Sequence, residues 1–335
     1  MYDVQTKRIL IGLAVVGASS LACTSTQTGK AGELEFTYVT DDDVRDFNKA
    51  IAVGARLDLE VRESGNAPYQ ERKVTINEAT SSDESVLSVV GTSGDVFTVE
   101  GTGTGSAELR ADATTVDSGE GLVDTIDMRA AIPEVLKLQH SCGDNPSGRV
   151  GKYLVDQTIL IPFEMELADG QPVIGYGYYP VTAEPAAALT PVVDTKAQAF
   201  IHYTTAEAPQ QVTLTSDIDS ATLTLDLVDP GDIDGATLAV APPLREGRTE
   251  LFYALPTVGS DPVCQANTAV TFEVTTPETC SVREASAPLT EEARQYGWFS
   301  ITGIAQGQCL INVTHASGAA GAGVTTELSV GVNAP

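Results

Sequence analysis

Short runs in which apolar and polar residues alternate make up most of the chain after residue 33. Clear examples are Leu34–Tyr38 and Leu57–Val61, in which every second residue is apolar. A period of two is typical of a strand with one buried face. Turn-forming stretches such as Ser93–Asp95 and Asp229–Gly231 separate these runs. Helical periodicity is confined to short stretches at 42–49 and 289–296, so the pattern predicts an all-β chain of sandwiches.

An internal repeat supports this prediction. Phe97–Ala111 aligns without a gap with Phe299–Val313, at an offset of 202 residues (299 − 97), and two glycines match in each copy. Apolar residues alternate before and after the glycines, which predicts two strands joined by a tight connection. Ile126–Ala130 matches Leu328–Val332 at the same offset, as a closing strand.

The repeated segments resemble group 2 bacterial immunoglobulin-like domains, the kind strung along intimin- and invasin-type surface proteins. Val99–Gly101 followed by Gly105–Ala111 fits the family pattern of a strand ending in V-x-G, a glycine turn and G-x-A-x-L-x-A. Ile51–Leu59 is similar to its earlier V-G strand, and Ser81–Val86 to its S-x-D-x-x-V segment. The resemblance covers residues 34–131 well and 265–333 moderately. It implies tandem immunoglobulin-like sandwiches that serve as stalks or adhesive surfaces.

The middle of the chain has strand patterns of its own but no family motif. We predict a second sandwich over 132–240, between an immunoglobulin-like sandwich at 34–131 and another at 241–335. The strands predicted in the middle region are Val135–Leu138, Tyr153–Leu167, Val173–Val181, Ala199–Thr204, Gln211–Thr215 and Ala221–Val228.

The first residues have the pattern of an export signal. Lys7 and Arg8 precede the apolar run Ile9–Ala22, whose 14 residues are fewer than the ~20 that a membrane-spanning helix needs. Ser20–Cys23 resembles a bacterial lipobox, in which the cysteine receives a diacylglycerol group. The family usually has Leu, Val or Ile where this chain has Ser20. Ordinary signal-peptidase cleavage that leaves Cys23 free is therefore the alternative.

The lipobox resemblance implies where the protein is located in the cell. Residues 1–22 would be a lipoprotein signal peptide, and residues 23–33 a flexible tether. Lipid at Cys23 would make the membrane a partner, because two or more acyl chains anchor a protein stably. Thr24 after the cysteine resembles outer-membrane sorting, which places the protein in the cell envelope of a Gram-negative bacterium.

The remaining four cysteines predict two disulfides, as is usual for exported proteins. In the alignment of the two copies, Cys309 replaces Ala107, and Cys280 falls near the place of Val86 if the following loop is longer. An apolar pair across the first sandwich would thus become the disulfide Cys280–Cys309 in the last. Closing this 29-residue interval would stabilise the fold by about 3–4 kcal/mol. Cys142 and Cys264 pair by elimination.

Charge excludes one class of partner. The chain has 19 Lys+Arg against 46 Asp+Glu, a net charge of −27, and −28 once residues 1–22 are removed. Such a surface repels phosphate backbones, so nucleic-acid binding is not expected. The three histidines are scattered and no C-x-x-C, H-E-x-x-H or G-x-S-x-G motif occurs, so we expect no cofactor, no zinc site and no enzymatic activity.

Three weaker patterns leave binding or chemistry open. Tyr176 and Tyr178 lie on one face of the predicted strand 173–181 and form a candidate ligand face for glycans. Glu164 and Glu166 share a strand face, as the carboxylates of some glycosidases do. Asp41–Asp43 with Asp46 form a candidate cation site, whereas Asp229–Gly235 does not fit an EF-hand.

The sequence therefore favours a non-enzymatic surface lipoprotein with a structural or adhesive role. The first alternative is an adhesin that binds a surface glycan or protein through its middle domain. The second is a hydrolase that uses the carboxylate pair of that domain.

Overall fold

The computed structural model describes most of the chain after residue 25. The described residues are 26–39, 47, 49–65, 72–142, 150–192, 196–238, 244–259, 261–266, 270–284, 297–315 and 323–334. They form 27 strands and two short 3-10 turns. The all-β prediction is confirmed.

The strands fall into three groups, which we call the first, middle and last sandwich. The first sandwich contains β1 Thr26–Thr28, β2 Leu34–Val39, β3 Ala50–Ala52, β4 Arg56–Glu63, β5 Val74–Ser81, β6 Leu87–Ser93, β7 Val96–Gly101, β8 Gly105–Thr115 and β9 Gly121–Ala131. The middle sandwich contains β10 Val135–Leu138, β11 Gly151–Leu154, β12 Thr158–Glu166, β13 Pro172–Ile174, β14 Val181–Glu184, β15 Leu189–Pro191, β16 Phe200–Thr205, β17 Gln210–Ser216 and β18 Thr222–Val228, with 3-10 turns at Ala186–Ala188 and Pro230–Asp232. The last sandwich contains β19 Gly235–Leu238, β20 Leu244–Arg245, β21 Thr249–Val258, β22 Asp261–Cys264, β23 Val270–Val274, β24 Cys280–Glu284, β25 Gly297–Gly303, β26 Gly307–His315 and β27 Val324–Asn333.

The sheets do not stop at the limits of the sandwiches. In the first sandwich the sheet β1-β2-β4-β7-β6 faces a sheet that continues into the middle sandwich, in the order β15-β16-β12-β13-β3-β9-β8-β5. The link is the parallel pair β13–β3. A third sheet, β14-β17-β18-β11-β22-β21-β25-β24, joins the middle and last sandwiches through the parallel pair β11–β22. Backbone hydrogen bonds therefore cross both junctions.

The apolar core follows the same plan. One hydrophobic cluster extends through the first and middle sandwiches, from Leu34 to Cys264, because alternate residues of both sheets face inward. The last sandwich has a separate cluster around Phe252, Phe299 and Ile311. A small third cluster, which includes Leu154 and Val263, lies where β11 meets β22.

The first and last sandwiches are copies of one topology. In the hairpin β8–β9, Ala107 is opposite Met128, and in β26–β27 Cys309 is opposite Val330, so the offset of 202 holds on both strands. The remaining strands also correspond: β2 to β19, β3 to β20, β4 to β21, β5 to β23, β6 to β24 and β7 to β25. The repeat in the sequence is thus a repeat of strand pairing.

The copies differ by one loop, as the alignment required. β6 and β7 are joined by the two residues 94–95, whereas residues 285–296 separate β24 from β25. Cys280 is opposite Gly303 in the register of β24–β25, and Leu87 is opposite Gly101 in β6–β7. Cys280 therefore takes the place of Leu87, one residue beyond the predicted place of Val86.

Three sequence predictions are corrected by the strands. Residues 26–33, predicted as flexible tether, form β1 and a turn that is hydrogen-bonded to the first sandwich. The predicted strand 173–181 ends at Ile174, because Gly175 and Gly177 adopt positive φ angles of 126° and 81°. β19, predicted within the middle domain, pairs with β21 of the last sandwich.

Candidate functional site

The junction between the first and middle sandwiches is built around one buried carboxylate. Asp58 lies on β4, only 1% exposed, on the side of the strand that faces the middle sandwich. Its Oδ1 accepts hydrogen bonds from the hydroxyls of Thr98 and Tyr176, both at 2.7 Å. Its Oδ2 accepts a hydrogen bond from Lys196 Nζ. Tyr176 and Lys196 of the middle sandwich therefore both bind the Asp58 carboxylate of the first sandwich.

Charge balance keeps this carboxylate ionised. Burial alone would raise the pKa of Asp58, but the hydrogen bonds from Lys196, Thr98 and Tyr176 outweigh it and hold the pKa below its ordinary value. Burial and the neighbouring carboxylate raise the pKa of Tyr176. The phenol therefore stays protonated and acts as a donor.

The tyrosines of the candidate ligand face are used in this junction. The backbone of Tyr176 pairs with Arg56, through N–H···O bonds of 2.8 and 2.9 Å. Tyr178 packs against Gly54, where a Cβ would lie 3.0 Å from the tyrosine ring. Both tyrosines are half-buried between the sandwiches, so the structure does not present them as an open stacking surface.

The junction between the middle and last sandwiches is closed differently. The predicted disulfide Cys142–Cys264 is present and connects the end of the β10 segment with β22. Gln265, 1% exposed, donates through Nε2 to the carbonyl of Leu160 and accepts from its N–H through Oε1, both at 2.6 Å. Lys152 reaches the carbonyl of Val258 at 2.7 Å. The disulfide and the two hydrogen bonds between the Gln265 side chain and the Leu160 backbone thus hold this junction together.

A second buried carboxylate fixes the start of the described chain. Asp124 on β9 accepts hydrogen bonds from the backbone N–H groups of Ala31, Glu33 and Leu34, at 2.7 to 3.0 Å. These bonds lower its pKa against the opposing effect of burial. A Cβ at Gly29 would lie 2.2 Å from the Asp124 carboxyl carbon, so only glycine fits there.

The predicted carboxylate pair lies on the outer face of β12. Lys137 on β10 bridges both acids, with a hydrogen bond to Glu166 and a 4.0 Å contact with Glu164. The hydrogen bond to Glu166 raises the pKa of Lys137. A cleft of ≈ 350 Å³ adjoins them, and Glu164 is the one carboxylate among its described lining residues, beside Lys49 and His140.

Two candidate sites lie outside the described residues, namely Cys23 and the cluster Asp41–Asp43 with Asp46. Within the part that the structure describes, no three side chains of His, Cys, Asp or Glu are grouped so as to hold a metal ion. In the same part, helices with the length and apolarity of a membrane span are absent.

Comparisons with known proteins found distant likenesses among solved structures. No family model matches the chain. No curated protein matches it. Similar solved structures include domains 4–9 of the surface layer protein SbsC, at 13% identity and a TM-score of 0.28, covering 90% of this chain and 48% of that one. Invasin, a bacterial integrin-binding protein, has 12% identity and a TM-score of 0.23, covering 89% and 60%.

An endo-fucoidan hydrolase of glycoside hydrolase family 107 has 12% identity and a TM-score of 0.23, covering 85% of this chain and 43% of that one. This chain spans about half the length of the SbsC fragment. Scores this low do not transfer any role to this chain.

Sequence reasoning missed the residues that build the junctions. Asp58, Lys196 and Gln265 are ordinary polar residues in strand-like or loop contexts, and Asp58 is one of 46 acids. The sequence pattern does not single out Asp58, because it stands at a polar position of the alternating stretch Leu57–Val61.

Proposed function

We propose that this chain is a non-enzymatic module of the cell envelope, in which three sandwiches are presented as one stiff unit from a lipid anchor at Cys23. The observation that carries the proposal is strand pairing across both junctions, β13 with β3 and β11 with β22. Domains of one chain ordinarily move relative to each other unless the interface between them is extensive. Shared sheets and a shared core favour a spacer or adhesive stalk.

The disulfides support an extracytoplasmic address. Cys142–Cys264 and Cys280–Cys309 are separated by 122 and 29 residues. Structural disulfides of this kind persist in oxidising compartments and are rare in the cytosol. Together with the lipobox resemblance of Ser20–Cys23, they support an outer-membrane lipoprotein whose sandwiches face away from the cytoplasm.

The hydrolase alternative is less well supported than the structural role. In inverting glycosidases two carboxyl groups face each other across the substrate, and one of them keeps its proton. Here Glu164 and Glu166 lie side by side on one face of β12, and Lys137 contacts both of them. We therefore propose a structural role for this strand as well.

The test of the anchor is the intact mass of the protein isolated from its native membranes. We expect a chain that begins at Cys23, carries two or three acyl chains and lacks four hydrogens because of the two disulfides. The Cys23→Ala variant should appear in the soluble fraction with the same four-hydrogen deficit. An unmodified chain starting at Cys23 in the medium would refute the anchor and leave the fold untouched.

The test of stiffness is small-angle X-ray scattering of the soluble chain. We expect one radius of gyration that does not change between low and high salt, because the junctions are held by hydrogen bonds and a disulfide. A matched variant, Cys142→Ala with Cys264→Ala, should broaden the distance distribution. A distribution in the parent chain that is already broad would contradict the proposal.

A further inference from the structure

β1 places the entry of the chain into the first sandwich close to the junction with the middle sandwich. It is the edge strand of the sheet β1-β2-β4-β7-β6, and it runs antiparallel to β2 with Thr26 opposite Thr37. β2 is antiparallel to β4, with Thr37 opposite Glu60 and Val39 opposite Asp58. Followed backward from Thr26, the direction of β1 therefore leads toward the level of Asp58.

The level of Asp58 is the first junction itself. The Asp58 carboxylate accepts a hydrogen bond from Tyr176, and the backbone of Arg56 pairs with the backbone of the same tyrosine. In the shared register Thr26 is two residues short of Asp58 (60 − 58), which is about 7 Å along the strands. The chain thus joins the first sandwich beside its neighbour.

The free end of the first sandwich lies in the opposite direction, at the turn of residues 116–120. β9 begins directly after this turn and ends beside β3 at the junction. The N–H of Leu34 reaches Asp124, three residues into β9, and Thr26 lies opposite Thr37, three residues further along β2. Thr26 is thus about six residue steps, or roughly 20 Å, from the free end.

Little chain separates Thr26 from the proposed anchor. Cys23 precedes it by three residues (26 − 23), which span at most about 11 Å when fully extended. This length does not reach the free end, whereas it does reach the first junction, about 7 Å away. The array therefore meets the bilayer at that junction. Polar surfaces keep both sandwiches out of the hydrocarbon, so their strands lie along the bilayer.

The segment next to the anchor lacks the negative charge that dominates the chain. Residues 23–32 contain no acidic side chain, in a sequence with 46 acids and a net charge of −27. β1 itself consists of uncharged residues, Thr26–Thr28. Beside it, Lys30 forms ion pairs with Glu108 and Asp127, which offset part of the charge of the β8–β9 hairpin. This side of the first sandwich can therefore approach lipid headgroups with less repulsion than an acidic surface.

We propose that the first junction is the membrane-contacting surface of this protein, with the first and middle sandwiches lying along the bilayer on either side of the anchor. This orientation rests on the anchor at Cys23 proposed above. It narrows the structural role from an upright stalk to a module presented side-on. The long sides of the sandwiches, and not one distal tip, then face the surroundings.

The experiment couples the chain of residues 23–335 through the Cys23 thiol to a maleimide lipid in a supported phosphatidylcholine bilayer. Cys23 is the one cysteine outside the two disulfides, so coupling is specific and does not depend on lipidation in the native host. Neutron reflectometry then measures the thickness of the protein layer. We expect about 40 Å or less, because a sandwich on its side is two sheets ~10 Å apart with their side chains and loops.

The matched control moves the attachment to the free end, with Cys23→Ser and Asp117→Cys, an exposed residue of the turn between β8 and β9. Its layer should be at least about 20 Å thicker, because the first junction is then roughly 30 Å of strand away from the lipid. Circular dichroism establishes that both proteins fold.

A layer of roughly 100 Å for Cys23 coupling, the length of three sandwiches of ~34 Å each, would overturn the proposal. Equal layers for the two attachment points would also overturn it, because the position of the tether would then not set the orientation. Either result would leave the anchor itself open. An intact mass without acyl chains would refute the anchor and leave the reflectometry of the coupled protein unchanged.

Discussion

The first and last sandwiches share strand order and register but are stabilised in different ways. Where the first copy packs Leu87 and Ala107, the last has the disulfide Cys280–Cys309. Equivalent backbone positions are therefore filled by an apolar pair in one copy and a covalent bond in the other. Alternation and glycine turns therefore set the strand register in both copies, whereas the interaction that stabilises the core at these positions differs between them.

The same comparison separates core positions from contact positions. Ala113 and His315 occupy one equivalent place, which is buried in both copies, and Asp124 and Thr326 occupy another, because each pair follows the offset of 202. His315 is a polar group where the other copy has the smaller, apolar Ala113, and Asp124 is a charged group where the other copy has the neutral Thr326. His315 should make the last sandwich sensitive to acid, and Asp124 should make the first sandwich depend on a carboxylate acceptor. Exchanging residues between copies therefore tests the comparison directly.

The largest effect is expected from exchanging the disulfide for its counterpart. Cys280→Leu with Cys309→Ala should lower the free energy of unfolding of the last sandwich by about 3–4 kcal/mol, since the 29-residue loop is no longer closed in the unfolded chain. Trp298 is the one tryptophan of the chain, so urea unfolding followed by its fluorescence reports on the last sandwich.

The reverse exchange is the control for the disulfide. Leu87→Cys with Ala107→Cys should form a third disulfide, seen as a loss of two hydrogens in the intact mass. It should raise the urea midpoint of the first sandwich, followed by hydrogen exchange of β8 amides. If the cysteines stay reduced, the equivalence of the two places is wrong.

His315 should make the last sandwich acid-sensitive. Burial lowers its pKa from 6.5 to about 4, so the folded state keeps the ring neutral while the unfolded state binds a proton below pH ~6.5. Stability should fall as the pH drops from ~6.5 to ~4, by about 3 kcal/mol in total. The measurement is the urea midpoint from Trp298 fluorescence across this pH range.

His315→Ala copies the first sandwich, which has Ala113 at this place. The variant should lose that part of the pH dependence in the Trp298 signal. A pH profile unchanged by the substitution would assign the acid sensitivity to other groups.

Asp58→Leu should loosen the first junction by about 2 kcal/mol. The variant leaves the hydroxyls of the half-buried Tyr176 and Thr98 without this acceptor, whereas the half-exposed Lys196 returns to water. Faster hydrogen exchange of the Arg56 and Tyr176 amides is the measurement. Glu60→Leu, on the same side of β4, is the control and should leave these amides protected.

The smallest effect is expected from Asp124→Thr, which introduces the counterpart Thr326. A threonine hydroxyl cannot accept all the N–H bonds that Asp124 holds, so residues 29–34 should detach locally at a cost of about 1 kcal/mol. Hydrogen exchange at Ala31 and Glu33 should rise, with little change in global unfolding. A large fall in the global midpoint would show instead that this segment belongs to the core.

The sequence predicted what depends on local pattern. Alternation located most strands, and the repeat placed Cys309 at Ala107 and required the longer loop after Cys280. Two glycines with positive φ ended the strand predicted at 173–181, since alternation alone does not reveal the backbone angle. Because the strand was predicted to continue, Tyr176 and Tyr178 were assigned to a ligand face, whereas the structure places them at the junction of the first and middle sandwiches.

The polar contacts between sandwiches, unlike the disulfide Cys142–Cys264, could not be predicted from such patterns. Asp58 meets Lys196 across 138 residues, and Gln265 meets Leu160 across 105. Neither partner carries a motif, and a buried carboxylate looks the same in sequence as 45 others. The tether was mispredicted for a related reason. Its glycine and threonine content suggested flexibility, and the acceptor that orders it, Asp124, lies about 90 residues away.

The disulfide Cys142–Cys264 has a consequence when the protein is pulled between its two ends. Tension that enters at one cysteine passes directly to the other, which lies 122 positions away in the sequence, so the residues between them bear no load. At ~3.5 Å per residue, this shortcut removes roughly 400 Å of slack from the extended chain. Under tension the chain would thus lengthen only through residues outside this loop, whereas β11 to β21 would stay within the closed loop.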